Sequence, residues 1–274
     1  MNPLNLLSLE WKRFSPNTTF RIVALLYIGA FALVVYLAHL IGGSLNINNN
    51  GQSFNPTADL FTYPKNWELL AYIGSWVNAT LLGFLGVFMT TLEFSNKTLR
   101  QSIIFGLTRF ELALSKVLAA LALALFATLI YLIIGMSSTI LSHASPGFSL
   151  PPLTCLLGFF LQAFGFLLLG MMTALLIRQT ALATLTYLAY VLFVEMVCRW
   201  IFYLSVAKTR LLLFLPDSAL QSLTPLPVPQ SAQQMITSNA ALLPLSTLES
   251  GLAALLYLSL FIAILYQRLT KTDL

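Results

Sequence analysis

Glu195 and Arg199 are the residues best placed to do chemistry inside an apolar stretch. They stand four positions apart near the end of the Thr180 to Cys198 run, where helical spacing lets each offset the other's cost of burial. Two roles follow from that pairing: a local ion pair with Arg199 reaching the interface, or a part in gating or the substrate pathway. Intramembrane chemistry of the Glu-Glu-x-x-x-Arg kind needs histidine partners, but Val194 fills the first glutamate position and His39 and His143 stand alone at segment ends. Two separated histidines without acidic neighbours make a poor zinc site. No Gly-x-Ser-x-Gly elbow accompanies the serines of Met136 to Ser145. No G-x-x-x-x-G-K-[ST] phosphate loop occurs either. We therefore assign no catalytic residue and no metal site, and expect a non-enzyme; if ATP drives this protein, another subunit binds it.

The elements that carry these residues are set by composition. Hydrophobic residues make up 58% of the 274 and charged residues 8%, against roughly 25% charged in soluble domains. Apolar runs cover Ile22 to Ile41, Leu69 to Leu92, Val117 to Leu141, Leu150 to Ile177, Thr180 to Cys198 and Gly251 to Gln267. Each approaches or exceeds the ~20 residues a helix needs to cross hydrocarbon, and none alternates as a barrel strand must. The expectation is an all-α membrane protein with one domain, 1–274, and transmembrane helices at 22–41, 69–92, 112–141, 150–177, 180–204 and 250–267. The first run exceeds the h-region of a signal peptide and lacks a clear cleavage site, so it reads as a retained helix.

With the amino terminus inside, Lys12, Arg13, Arg21, Lys97, Arg100, Arg109, Lys116, Arg178, Arg268 and Lys271 fall on the cytoplasmic side, and only Lys65, Arg199, Lys208 and Arg210 on the other. This is the positive-inside bias. It puts both termini in the cytoplasm of a cell, as in a multi-pass protein of a bacterial inner membrane. The net charge of +5 is spread along membrane edges, where lipid headgroups account for it and nucleic acid is not needed. Cys155 and Cys198 lie in apolar runs and imply neither a disulfide framework nor a metal.

Outside the crossings, residues 1–16 form a short helix. Leu4, Leu7, Trp11 and Phe14 share one face, and Lys12 and Arg13 fall largely elsewhere, which suits an amphipathic helix on the inner leaflet. Residues 205–248 carry Pro216, Pro225, Pro227, Pro229 and Pro244 and cannot form one helix. Their apolar pieces suggest an external, re-entrant region of short helices. The most instructed stretch is 96–109. Asn96 can cap a short helix on which Leu99, Ile103 and Leu107 align, and Gly106 breaks it. Thr108 and Glu111 then make a T-x-x-E capping box that starts the third crossing. A compact, charged surface of this kind is where another protein would dock.

From Glu93 to Lys116 the sequence E-F-S-N-K-T-L-R-Q-S-I-I-F-G-L-T-R-F-E-L-A-L-S-K resembles the permease subunits of ABC transporters of the ABC-2, or type V exporter-like, class. Glu93, Thr98, Leu99, Arg109 and Lys116 stand at the matching positions. Gly106-Leu107-Thr108 departs from the proline that many members carry there. The resemblance implies a membrane-spanning permease subunit of an ATP-driven exporter, in which 96–109 is the coupling helix. It further implies a second permease copy or paralogue as dimer partner and a separately encoded ATPase that binds the ATP and Mg. No cofactor is expected on this chain. The expected ATPase contacts are Glu93, Lys97, Thr98, Leu99, Arg100, Ile103 and Arg109, with Glu195 and Arg199 as gating or substrate-pathway candidates. A secondary transporter or an intramembrane enzyme using Glu195 is the alternative. The sequence does not name a substrate.

Overall fold

The computed structural model describes residues 3–44, 47–49, 52–54, 58–96, 98–104, 106–141, 150–198, 201, 213–227 and 245–271. Apart from a small antiparallel ladder, in which Ile47–Asn49 pairs with Gln52–Phe54, its regular structure is helical. In chain order the helices are α1 (Pro3–Phe14), α2 (Thr18–Ser44), α3 (Lys65–Val77), α4 (Gly83–Ser95), α5 (Thr98–Ile104), α6 (Arg109–Leu141), α7 (Leu153–Ile177), α8 (Thr180–Ala189), α9 (Pro216–Gln221) and α10 (Thr247–Lys271). A π-helical turn at Asn78–Leu82 joins α3 to α4, and a second at Tyr190–Val194 extends α8. Among the described residues six helical stretches are long and apolar enough to cross a membrane: Thr18–Ile41, Lys65–Ser95, Arg109–Thr139, Leu153–Ile177, Thr180–Cys198 and Thr247–Thr270. The chain is thus a multi-pass membrane protein, and its six spans coincide with the six apolar runs.

Each span shows how it is packed. On α2, Phe20, Val23, Tyr27, Phe31 and Val35 recur every three or four residues and are buried, whereas Ile22, Leu25, Leu26 and Leu33 stay exposed. One stripe faces protein and the rest suits lipid. The centre of the bundle is the contact of α4 with α7, and glycine makes it possible. A Cβ on Gly170 would come within 2.2 Å of the Gly83 carbonyl oxygen, and one on Gly86 within 2.4 Å of the Leu167 carbonyl oxygen. Small residues that let backbones meet are a common device of helix packing in membranes.

The π turns have identifiable causes. The turn at Asn78–Leu82 frees the Ala79 carbonyl, which accepts the Tyr187 hydroxyl at 2.6 Å, while Asn78 Oδ1 accepts the Tyr27 hydroxyl at 2.8 Å. Such bulges turn helix carbonyls toward tertiary partners. Between α7 and α8 only Arg178 and Gln179 intervene, and Arg178 adopts the left-handed conformation (φ 57°) that ends α7. The two helices fold back as antiparallel neighbours, as their short connection predicts.

Replacing Gly170 with Ala should lower the thermal unfolding midpoint of the purified protein by an amount equivalent to about 1–3 kcal/mol of overpacking. The matched change Gly29→Ala, where a Cβ meets nothing within 4 Å, should leave it unchanged. Equal midpoints for the two variants would contradict the packing described here.

Candidate functional site

Two cations and two carboxylates meet where α1, α4, α5 and α6 come together, at what is here termed the hinge end of the bundle. Glu10 and Arg13 stand three residues apart on the inward side of α1, whose buried residues are Leu6, Glu10 and Phe14. Of Leu4, Leu7, Trp11 and Phe14, which the sequence sets on one face, Phe14 is buried. Leu4 and Trp11 are exposed, and Arg13 turns inward, because the buried carboxylate of Glu93 lies opposite it.

Lys116, on α6, is the hub. Its Nζ donates to Glu10 Oε1 at 2.9 Å and Oε2 at 2.8 Å, and also to Glu93 Oε1. Arg13 Nη1 donates to the same Glu93 oxygen at 2.8 Å, and its Nη2 to the Ser102 hydroxyl at 2.9 Å. The Ser102 hydroxyl in turn donates to the Thr98 carbonyl at 2.8 Å. The Ser115 hydroxyl lies 2.9 Å from Glu10 Oε1, and the Lys116 ammonium sits 5.4 Å above the Phe14 ring. The side chains of Glu93 and Lys116 are 1% and 3% exposed, that of Arg13 24%.

The four formal charges sum to zero, which is what makes their burial tolerable. Burial acts to raise the Glu10 carboxyl. The Lys116 ammonium, its hydrogen bond, Arg13 and Ser115 outweigh that, and the carboxyl lies below its ordinary 4.5. Burial likewise acts to lower the Arg13 guanidinium, but Glu93 and Glu10 hold it above its ordinary value. Both groups of α1 are therefore charged throughout the physiological range.

Local sequence delivers α5 to this cluster. Asn96 closes α4 as its C-cap, its N–H bonding the Leu92 carbonyl at 2.9 Å, rather than serving the N-cap role expected of it. The short helix spans Thr98–Ile104, less than the expected 96–109, because Gly106 turns the chain at φ 92° and the Leu107 N–H closes onto the Ser102 carbonyl at 3.1 Å. The capping box is present: the Thr108 N–H donates to Glu111 Oε2 at 3.0 Å and the Glu111 N–H to the Thr108 hydroxyl at 3.2 Å. Helix α6 begins there.

Of the residues expected to touch a partner, Glu93 and Leu99 are buried within the bundle. Both border a void of about 10 Å³ whose walls also include Leu175, Leu265 and Leu269. Thr98 is half-buried and its hydroxyl lies 3.4 Å from the Glu93 carbonyl. Arg109 is exposed and bonds the Thr270 carbonyl near the end of α10. Lys97 and the side chains of Arg100 and Ile103 lie outside the described residues. The outer face of α5 is instead marked by Gln101 and by Ile104, the latter 74% exposed, which the four-residue pattern of Leu99, Ile103 and Leu107 overlooked.

The second candidate resolves differently. Arg199 lies outside the described residues, as does His143. Glu195 is buried and accepts the backbone N–H groups of Asp217 at 2.9 Å and Ser218 at 2.8 Å, the Ser218 hydroxyl at 2.8 Å, and the Tyr190 hydroxyl. It thus caps α9 from another helix, satisfying N–H groups that the first turn leaves without partners. The segment running on from α9 lies against α7, where a Cβ on Gly158 would meet the Leu223 carbonyl oxygen at 2.7 Å.

The chain matches no protein-family model and no curated protein, so function is argued from these geometries. The sequence reading missed the joint role of Glu10, Arg13, Ser102, Ser115 and Lys116. A signal was present: Lys116 and Glu93 are charges at the ends of long apolar runs, and each demands an opposite partner.

Lys116→Met leaves two buried carboxylates with one cation, and should destabilise the purified protein by about 3–5 kcal/mol. Adding Glu10→Gln restores neutrality, so the double variant should be the more stable of the two by about 0.5–3 kcal/mol. Thermal unfolding in detergent checks the order; a double variant less stable than Lys116→Met alone would refute the charge balance.

Proposed function

We propose that the chain is the membrane-spanning permease subunit of an ATP-driven exporter of the ABC-2 class, coupled through α5 to a separate ATPase subunit. The observation that carries this reading is the buried four-charge cluster. It bonds the short inter-span helix, through Ser102 and Arg13, to α1, α4 and α6, while leaving Gln101, Ile104 and Arg109 on the outside. A helix tied down on one side and exposed on the other suits the transmission of force. Displacement of its outer face must move the two spans behind it.

In this reading ATP and Mg are bound by the partner, and the permease has no catalytic site of its own. The hinge end faces the cytoplasm, in agreement with the distribution of Lys and Arg, so both termini are cytoplasmic. A second permease copy or paralogue completes the transport path within the cell membrane. Glu93 and Leu99 then act from behind the docking face, and Ile104 is its apolar anchor. The engagement of Glu195 by four donors among the described residues supports this reading over a secondary transporter or an enzyme in which that carboxylate carries protons. In this reading Glu195 holds α9 against the fifth span.

Co-expression with phosphate-loop ATPases encoded in its gene neighbourhood tests the proposal. Wild type should co-purify with one of them and stimulate its hydrolysis. Ile104→Glu combined with Arg100→Glu should weaken co-purification about tenfold or more, the loss of one anchor contact worth ~1.4 kcal/mol, without changing membrane insertion. Normal coupling in a correctly inserted double variant would overturn the assignment.

A further inference from the structure

An apolar cavity of about 310 Å³ lies beside the charge cluster, between α1, α2, α4 and α6. Its walls include Trp11, Phe14, Phe20, Leu85, Met89 and Ala119. Close-packed interiors seldom leave a void larger than a water molecule, and this volume falls within the roughly 300–1,000 Å³ of small-molecule sites. Glu10 and Tyr27 are the ionisable residues in its lining, and both are already bonded, the Glu10 carboxylate to Lys116 and Ser115 and the Tyr27 hydroxyl to Asn78. Water needs two or more polar partners to stay in such a space, so the lining selects an apolar guest.

The edge of the cavity carries the opposite chemistry. Trp11 lines the cavity yet is exposed, and its ring meets Phe20 edge-on at 6.2 Å. The next residues along the chain, Lys12 and Arg21, are both exposed. Arg21 gives its Nε to the Ser15 carbonyl at 2.6 Å, and among the described residues no carboxylate pairs with either cation. Two exposed cations, each next in sequence to a wall residue of an apolar slot, match a phosphate joined to a hydrocarbon chain.

We propose that this cavity binds one acyl chain of a glycerophospholipid from the leaflet at the hinge end, with the lipid phosphate held by Lys12 and Arg21. The chain lies against Phe14 and beneath α1, and so fills the space behind the helix that supplies Glu10 and Arg13 to the cluster. Leu85 and Ala119 are buried from the surrounding bilayer. Bulk lipid does not reach them, whereas a bound chain does.

The full-length protein is reconstituted in phosphatidylglycerol vesicles doped with a phospholipid bearing a diazirine midway along one acyl chain, irradiated and mapped by peptide mass spectrometry. Adducts are expected at Leu85 to Met89 and at Ala119 to Leu123. The cavity-filling change Ala122→Phe, and separately the surface pair Lys12→Gln with Arg21→Gln, should each reduce those adducts at least about fivefold, equivalent to ~1 kcal/mol. Labelling of the exposed Leu252 and Leu255 on α10 should persist in both. The surface pair keeps the test decisive if the filled variant does not fold. Undiminished labelling in the variants overturns the proposal. So does equal labelling by a diazirine fatty acid with no phosphate, or adducts confined to the exposed faces.

Discussion

A charge placed where hydrocarbon surrounds the protein must find its opposite, and this requirement organises the hinge end of the bundle. Glu93 closes one span and Lys116 stands near the start of the next, and both side chains are buried. The ammonium of Lys116 reaches two carboxylates, and the second belongs to α1, a helix outside the six spans. Arg13 then satisfies Glu93 and extends to α5 through Ser102. Lys116 bonds both carboxylates and Glu93 bonds both cations, so two ion pairs are cross-linked into one network that joins α1, α4, α5 and α6. Removing one member of such a set strands a charge, whereas replacing the whole set with apolar side chains need not destabilise. The value of the cluster therefore lies in which elements it holds together.

The two ends of the bundle solve the same problem with different donors. At the hinge end, side-chain cations neutralise carboxylates. At the other end, Glu195 is surrounded by backbone N–H groups of α9 and by hydroxyls. A helix terminus supplies partial positive charge for it. Between them, the glycine contacts of α4 with α7 allow backbones to touch, giving a stiff centre through which the ends are connected. In the proposed permease this is a sensible distribution: an input helix bonded to two spans at one end, and a re-entrant segment clasped by a third span at the other.

The six spans were legible in the sequence because an apolar run of twenty residues in a chain with 8% charge has few other fates. The start of α6 was legible because Thr108 and Glu111 act within four residues of each other. What stayed hidden depends on partners far along the chain. The π turn at Asn78–Leu82 offers its Ala79 carbonyl to a hydroxyl on Tyr187, 108 residues on. The bonds from Glu195 to residues 22 and 23 positions later leave no mark in the sequence around it. Arg13 was placed only off the apolar face of α1, because its partner Glu93 lies 80 residues further along the chain. Asn96, a good residue for either end of a helix, ends the one before it.

The central claim is that the cluster fixes α1 and α5 as one body with the spans behind them. A direct measurement places spin labels at Ser8→Cys and Gln101→Cys, both exposed, in a chain whose Cys155 and Cys198 are replaced by Ala, and records the distribution of distances between them. The account predicts one narrow distribution in the parent chain and a broadened one when Lys116 is changed to Met. A distribution that is broad in the parent, or unaltered by loss of the Lys116 charge, would contradict it.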